Sequence, residues 1–340
     1  MKVSLGMKLR SGPWGGGNAF GRALADYLRD RGEQVFFDLR QPDLDIILLT
    51  DPRPQSASAS YRHREIIRYL LRRNRRALVV HRVNECDERK GTRGVNRMLL
   101  QANRCADHTV FVSSWLRDLF VRRGIPCPSC SVICNGSDTS VFHARGYERW
   151  DGKPPLKLVS HHWSGNWMKG FDIYERLDMM LASEPLRSAV SFTYIGNVPR
   201  GFTFRHSRHV PAVADSRLAD LIRQHHVYLT ASLNEPGSNH QNEGACCGLP
   251  LLYRHSGCLP EYCHGFGIAF TEADFDKRLQ EMAAAYHGWA DRMDAYPHTA
   301  GRMCDSYYRL FADLAAERDR IIAGRTWRYR PFWLARTLMP

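Results

Sequence analysis

The feature that most constrains this chain is an alternation of short apolar runs with longer amphipathic stretches, carried almost end to end and interrupted once. Residues 3–9, 35–38, 46–50, 77–81, 109–113 and 131–134 read as strands. Helical spacing falls between them at 19–31, 61–74, 95–105 and 114–123, with Gly32 placed as the stop of the first helix. Residues 145–155 then collect Gly, Pro and charge without periodicity and read as an interdomain linker. Beyond them the alternation resumes. Strands are expected at 156–160, 191–195, 227–231, 250–253 and 267–270, and helices near 171–183, 215–225, 239–247, 274–286 and 300–322. Strands that alternate with helices pair in parallel and are covered on both faces. The expected fold is α/β, with two Rossmann-like domains facing a central cleft. Residues 1–148 form the first domain, 149–324 the second, and 325–340 a tail packing back on the first.

Composition narrows the class. Apolar residues make up 44% and charged residues 24%, a balance that fits a packed protein and excludes a disordered one. No window approaches the roughly 18 consecutive apolar residues of a membrane-spanning helix. Met1-Lys2-Val3-Ser4-Leu5 runs into the first predicted strand without the apolar region of a signal peptide, so a cytoplasmic location is expected. The ten cysteines, several inside predicted elements, are expected as buried thiols. A net charge of +13 attracts anionic partners without choosing among nucleic acid, lipid and substrate. The densest run carries Arg62, Arg64, Arg68, Arg72, Arg73, Arg75 and Arg76, with Ile66, Ile67, Leu70 and Leu71 at helical spacing. This is an amphipathic helix whose basic face is either solvated or in peripheral contact with an anionic membrane. Only Tyr61 and Tyr69 accompany it, so nucleic acid is not an expected partner.

The chemistry concentrates in Asn234-Glu235-Pro236-Gly237-Ser238-Asn239-His240-Gln241-Asn242-Glu243. A predicted strand ends just before this loop and a predicted helix starts within it. Helix N-termini offer unpaired N–H groups and a positive dipole end, which suit a diphosphate. Glu235 and Glu243 lie eight residues apart. One could bind sugar hydroxyls and the other ribose hydroxyls, while Gly237 lets the backbone approach a ligand. By spacing alone, a capped loop with two surface glutamates explains the same residues.

Four segments, in order, resemble the retaining glycosyltransferases of family 4. The loop matches their E-x7-E motif, and Gly257-Cys258-Leu259-Pro260-Glu261 is similar to the G-G-L-P-E that follows it. Asn135-Gly136-Ser137-Asp138-Thr139-Ser140-Val141-Phe142 resembles N-G-V-D-x-x-x-F, Trp167-Met168-Lys169-Gly170-Phe171-Asp172 resembles K-G-F-D, and Tyr194-Ile195-Gly196-Asn197 resembles the family's strand-end glycine beside the base. The resemblance implies a nucleotide-sugar-dependent, retaining transferase with no cofactor. A UDP- or GDP-sugar would be the co-substrate, and a sugar, lipid or small molecule the acceptor. It also implies roles: Lys169 on donor phosphate, Glu235 on the sugar, Glu243 on ribose, Gly196 and Asn197 at the base, and Gly237, Ser238, Asn239 and His240 along the donor. The family's arginine before the phosphate lysine is missing. Ser160-His161-His162-Trp163-Ser164-Gly165-Asn166 stands there, leaving His162, Ser164 or an arginine from elsewhere to take its place.

The first half is less specific. Gly15-Gly16-Gly17 follows a strand and precedes a helix, a pattern that can cradle phosphate. In the family such a loop faces sugar and acceptor, which makes Gly16 and Gly17 candidates. Gly15, Gly17 and Gly21, with Asp38 following, also half-match a dinucleotide fingerprint and keep an NAD-binding oxidoreductase in view. In related enzymes a histidine after the fourth strand touches the donor sugar, so His81 joins Lys169 and Glu235 as a catalytic candidate. Arg82, Asn84 and Asp87 are acceptor-side candidates, against the reading of a solvated charged loop. No metal site is expected. Cys127, Cys130 and Cys134 lack the fourth ligand of structural zinc, and no Asp-x-Asp ends a strand. A nucleotide-sugar epimerase on the same architecture remains a rival.

Overall fold

A computed structural model describes residues 1–10, 16–54, 56–125 and 129–326. The chain divides into two compact units.

Unit 1 is a six-stranded sheet with every strand pair parallel. Its elements are β1 (Lys2–Leu5), α1 (Gly16–Arg29), β2 (Gln34–Phe36), β3 (Ile46–Leu49), α2 (His63–Arg72), β4 (Leu78–Val83), α3 (Val95–Asn103), β5 (His108–Phe111), α4 (Ser114–Val121) and β6 (Cys130–Val132). The strand order is β2-β1-β3-β4-β5-β6. β3 and β4 are buried along their whole length, as strands covered on both faces must be. Val3 and Leu5 face one layer with Phe20, Leu24 and Leu28 of α1. Ile47, Leu49 and Val79 face the other, with Ile66, Ile67 and Leu70 of α2. The arginine-rich run therefore is the amphipathic helix its spacing predicted.

Unit 2 repeats the plan with β7 (Leu156–His162), α5 (Phe171–Met180), α6 (Leu186–Ala189), β8 (Val190–Gly196), β9 (Arg208–Val210), α7 (Asp215–Arg223), β10 (Val227–Thr230), α8 (His240–Cys246), β11 (Leu251–Arg254), α9 (Leu259–Cys263), β12 (Gly267–Phe270) and α10 (Phe275–Ala290). Its sheet runs β12-β11-β10-β7-β8-β9, again all parallel. Counted from β7, this is the doubly wound order, and the strand order reverses between β7 and β10. Ligands of open parallel sheets bind outside the carboxyl ends of the strands at that reversal.

The unit boundaries depart from the sequence expectation in three places. Glu88–Lys90 and residues 135–148 belong to unit 2, and the chain from Gly301 belongs to unit 1. Helix α11 (Ala300–Ala316), assigned by position to the second domain, buries Met303, Tyr307, Phe311 and Leu314 against Val3, Leu5 and Phe20. Its apolar stripe announced burial, but not against which sheet. After the short helix α12 (Arg318–Ala323), Arg325 donates to both oxygens of Asp107, at 2.7 and 2.6 Å, and to the carbonyl of Arg75 at 2.7 Å. The rest of the aromatic and basic tail, 327–340, lies outside the described residues. No described helix is long and apolar enough to cross a membrane.

Candidate active site

The carboxyl ends of β7, β8 and β10 converge at the strand-order reversal of unit 2. The chain leaves β7 at His161 and His162, β8 at Gly196, and β10 through Ser232 into the Glu235 loop. His162 pairs in register with Gly196. After β7, Asn166 accepts a hydrogen bond from the Met168 amide at 2.9 Å and starts a single 3-10 turn, Trp167–Lys169. That turn delivers Lys169 to the interior, where its ammonium donates to Glu235 Oε2. Both side chains are buried, Glu235 with 2% and Lys169 with 9% of its side chain accessible. Arg89 completes the group, its Nε 3.2 Å from Glu235 Oε1. Burial alone raises a carboxyl pKa, yet Lys169 and Arg89 hold Glu235 down at about 2. It is ionised at any physiological pH.

The loop that carries Glu235 is braced from several sides. Cys258 donates its amide to the Glu235 carbonyl at 2.8 Å, and Ser256 Oγ accepts from the Asn234 amide at 3.0 Å. Gly257 sits between them at φ +58°, where a Cβ would fall 2.5 Å from Glu235 backbone atoms. Only glycine fits there, which explains the Ser256-Gly257-Cys258 sequence. Asn135 donates to the Gly237 carbonyl at 2.6 Å and accepts from Asn242 at 3.1 Å. The Asn135-Gly136-Ser137-Asp138 motif thus props the glutamate loop. Ser238 Oγ donates to Gln241 Oε1 at 2.6 Å. Asn239 precedes α8 but makes no side-chain cap, and its buried Oδ1 has no hydrogen-bond partner.

Glu243 lies on α8 with 18% of its side chain accessible, and His161 Nε2 is 2.6 Å from its Oε2. His162 Nε2 is 3.0 Å from the Tyr174 hydroxyl, and His240 Nε2 is 2.7 Å from Thr230 Oγ1. The His162 and His240 rings meet edge to face at 4.3 Å. Burial, with the cations nearby, holds both well below the ordinary histidine range, so both are neutral. At the end of β8, Asn197 is exposed and donates through Nδ2 to the Trp163 carbonyl at 2.6 Å. Trp163, 51% exposed, and Trp167, 46% exposed, stand on the loop leading to Lys169.

Lys169, Glu235, Glu243, His162, His240, Gly196 and Asn197 therefore gather at one end of one sheet, joined by Gly237, Ser238 and Asn239. The unit 1 candidates form a separate set. His81 is fully buried in β4, with Nδ1 2.8 Å from Asn103 Oδ1 and Nε2 unpartnered, and burial lowers its pKa to about 4. Arg82, on the opposite face, lies 4.0 Å over the Phe20 ring. Asp87 accepts from the amides of Gly94, Val95 and Asn96 and from Thr92 Oγ1, so its carboxylate holds its own loop and the start of α3. Asn84 is half-buried in the loop after β4, and Gly16 and Gly17 open α1, exposed. Gly15 lies outside the described residues. Sequence reasoning did not single out Arg89, His161 or Tyr228. No spacing rule links Arg89 to Glu235, 146 residues later, and His161 appears only within the segment that stands in place of the family's arginine. Among the described residues, no group of three or more His, Cys, Asp or Glu could hold a metal ion. Cys105, Cys246, Cys247, Cys263 and Cys304 are free thiols.

No known family pattern matches the sequence, and no curated protein does. Solved structures do match in fold. The catalytic domain of starch synthase IV from Arabidopsis thaliana has a TM-score of 0.66 at 11% identity, over 93% of this chain and 99% of that one. The glycosyltransferase AviGT4 gives 0.64 at 16%, over 93% and 98%. Anabaena HepE in complex with UDP-glucose gives 0.57 at 15%, over 99% of each chain. The architecture is the two-unit, Rossmann-like fold of B-type glycosyltransferases; the alternation of elements implied the two Rossmann-like halves, and the family resemblance the rest.

Proposed function

We propose that the protein transfers a sugar from a nucleotide-sugar donor to an acceptor hydroxyl, with retention of anomeric configuration, in polysaccharide, glycolipid or other glycoconjugate synthesis. The observation that carries this reading is the buried Lys169–Glu235 pair, with Glu243 eight residues on, at the strand-order reversal of unit 2. Neighbours in fold lend the donor class its chemistry: starch synthase IV is described bound to ADP and acarbose, and HepE bound to UDP-glucose. A UDP- or GDP-sugar is the proposed co-substrate here.

The residues divide the work as follows. Breaking the glycosidic bond to diphosphate leaves negative charge on the leaving group. Lys169 and Arg89 supply fixed positive charge at that point. Helix α8 has only seven residues, so these cations rather than a helix dipole carry the load. Glu235, ionised and anchored, accepts from sugar hydroxyls. Glu243 accepts from ribose hydroxyls, and Gly196 and Asn197 border the base beside Trp163. The acceptor hydroxyl attacks the face that the diphosphate leaves, which needs no enzyme nucleophile. Family 4 membership, independence from metal ions, and a cytoplasmic location with peripheral contact to anionic membrane through the α2 arginines belong to the same proposal.

A nucleotide-sugar epimerase would use the same donor contacts. The two part in one assay, in which nucleotide sugars are incubated with and without a panel of hydroxylated acceptors and free nucleoside diphosphate is measured. A transferase releases diphosphate in step with a glycosylated acceptor. Conversion of the donor sugar without an acceptor would replace the reading with epimerisation.

A further inference from the structure

Glu243 does not stand alone. Its partner His161 is held in turn by Tyr228, whose hydroxyl oxygen is 2.9 Å from His161 Nδ1. Tyr228 lies on β10, His161 on β7 and Glu243 on α8, so the chain of contacts crosses the strand-order reversal. We infer that Tyr228 and His161 are positioning residues that fix Glu243 for recognition of a vicinal diol, the ribose of the bound nucleotide. The inference rests on the donor reading above and adds residues and a selectivity to it.

The hydrogen-bond inventory sets the direction of the chain. The backbone amide of His161 donates to the Tyr228 oxygen at 3.2 Å, so that oxygen already serves as an acceptor. The phenolic proton has two places to go, His161 Nδ1 at 2.9 Å or the His161 carbonyl at 3.4 Å. The shorter contact wins. Burial keeps the phenol far above its ordinary pKa, so the proton stays on the oxygen. With Nδ1 accepting, the ring N–H lies on Nε2. Nε2–H then donates to Glu243 Oε2 across 2.6 Å. One carboxylate oxygen of Glu243 is thereby spoken for, and rotation of the group would break the short bond. The other oxygen is presented in a fixed direction.

The support is stiff. The side chain of His161 is only 8% accessible. Tyr228 is fully buried, and Gly244 of α8 rests on its ring, where a Cβ would fall 2.2 Å from a ring carbon. The helix carrying Glu243 and the phenol steering His161 are therefore in register. A carboxylate held this way accepts from hydroxyls placed where its free oxygen points, and loses that contact when a hydroxyl is missing. A loosely held glutamate would turn to compensate.

The test compares a ribonucleoside diphosphate with its 2′-deoxy counterpart, using whichever of UDP, GDP or ADP the wild-type protein binds. Affinities are measured by calorimetry for the wild type, Tyr228→Phe, His161→Phe and His161→Gln. The wild type should prefer the ribonucleotide by roughly tenfold or more, the scale of one hydrogen bond to a charged group. Tyr228→Phe and His161→Phe should bring that ratio toward one while diphosphate affinity persists. His161→Gln, whose amide can still donate to Glu243, should recover part of it. If the variants fold and lose both nucleotides equally, or keep the wild-type ratio, the proposed roles are wrong. Nitrogen-15 NMR of the histidine rings tests the relay without ligand: Nε2 of His161 should be protonated and Nδ1 bare at neutral pH. A proton on Nδ1 would overturn it. A wild type that binds no nucleoside diphosphate would instead bring down the donor reading, and the diol role with it.

Discussion

Lys169 and Glu235 form an ion pair with almost no access to water, 66 residues apart in sequence. Removing one partner from a buried pair strands the other charge and costs about 3–5 kcal/mol. Arg89 lessens that cost for Glu235, so Lys169→Ala should leave a folded protein with a reduced melting temperature. Its donor affinity should fall much further than its stability. A variant that melts like the wild type and binds donor equally would remove Lys169 from both roles.

Glu243→Ala should weaken nucleotide binding by about 1.5–3 kcal/mol, the range for a hydrogen bond to a charged group. The same change frees His161 Nε2, so a modest loss of stability should accompany it. Unchanged affinity by calorimetry, with the fold intact, would assign Glu243 to structure alone.

Arg325 tests how the chain end is held. Its guanidinium is buried against Asp107, with 5% and 3% of the two side chains accessible, and Asp107 also accepts from the Val79 amide at 2.8 Å. Arg325→Ala should therefore lower stability by about 3–5 kcal/mol. Arg325→Lys should recover little, because a single ammonium cannot replace the paired fork. Chemical denaturation of the three proteins checks this, and equal midpoints would refute it.

Stability should fall as pH drops below about 6.5, the ordinary histidine value. Burial holds His81 and His225 at about 4 and keeps His162 and His240 well below their ordinary range. Between these limits the unfolded chain binds protons that the folded one does not, so unfolding becomes easier as pH falls. Each such histidine contributes a slope of about 1.4 kcal/mol per pH unit. Glu235 adds a further loss between its ordinary 4.5 and about 2, because its stabilisation exists only while it is ionised. His240→Asn should flatten the dependence by about one proton's worth. An identical slope in that variant would show His240 is not kept neutral.

Much of the fold was legible because a parallel sheet covered on both faces writes itself as unbroken apolar runs. β3 and β12 are such runs. β9 was missed because Arg208, His209 and Val210 form a polar edge strand with no apolar signature. The first strand ends at Leu5 rather than continuing to residue 9, since Met7 turns back to the Leu5 carbonyl and Lys8 bonds to Ser58. In the candidate site, Lys169, Glu235 and Glu243 were singled out by the family resemblance. Their partners were not, because Arg89, His161 and Tyr228 meet them only once the sheet has formed.

If Lys169 and Arg89 supply the charge that a metal–diphosphate complex would otherwise provide, as proposed, donor turnover should persist in excess EDTA. Loss of activity on chelation, restored by Mn²⁺ or Mg²⁺, would contradict that division of labour.

The carboxyl end of the unit 2 sheet is proposed to bind a nucleoside diphosphate. The most direct measurement is thermal stabilisation by UDP, GDP, ADP and CMP, run in parallel on the wild type and Lys169→Ala. One diphosphate, at a hundred times its dissociation constant, should stabilise the wild type by about 2.7 kcal/mol, and the variant should lose most of that gain. A wild type indifferent to all four nucleotides, or a variant stabilised as strongly, would contradict it.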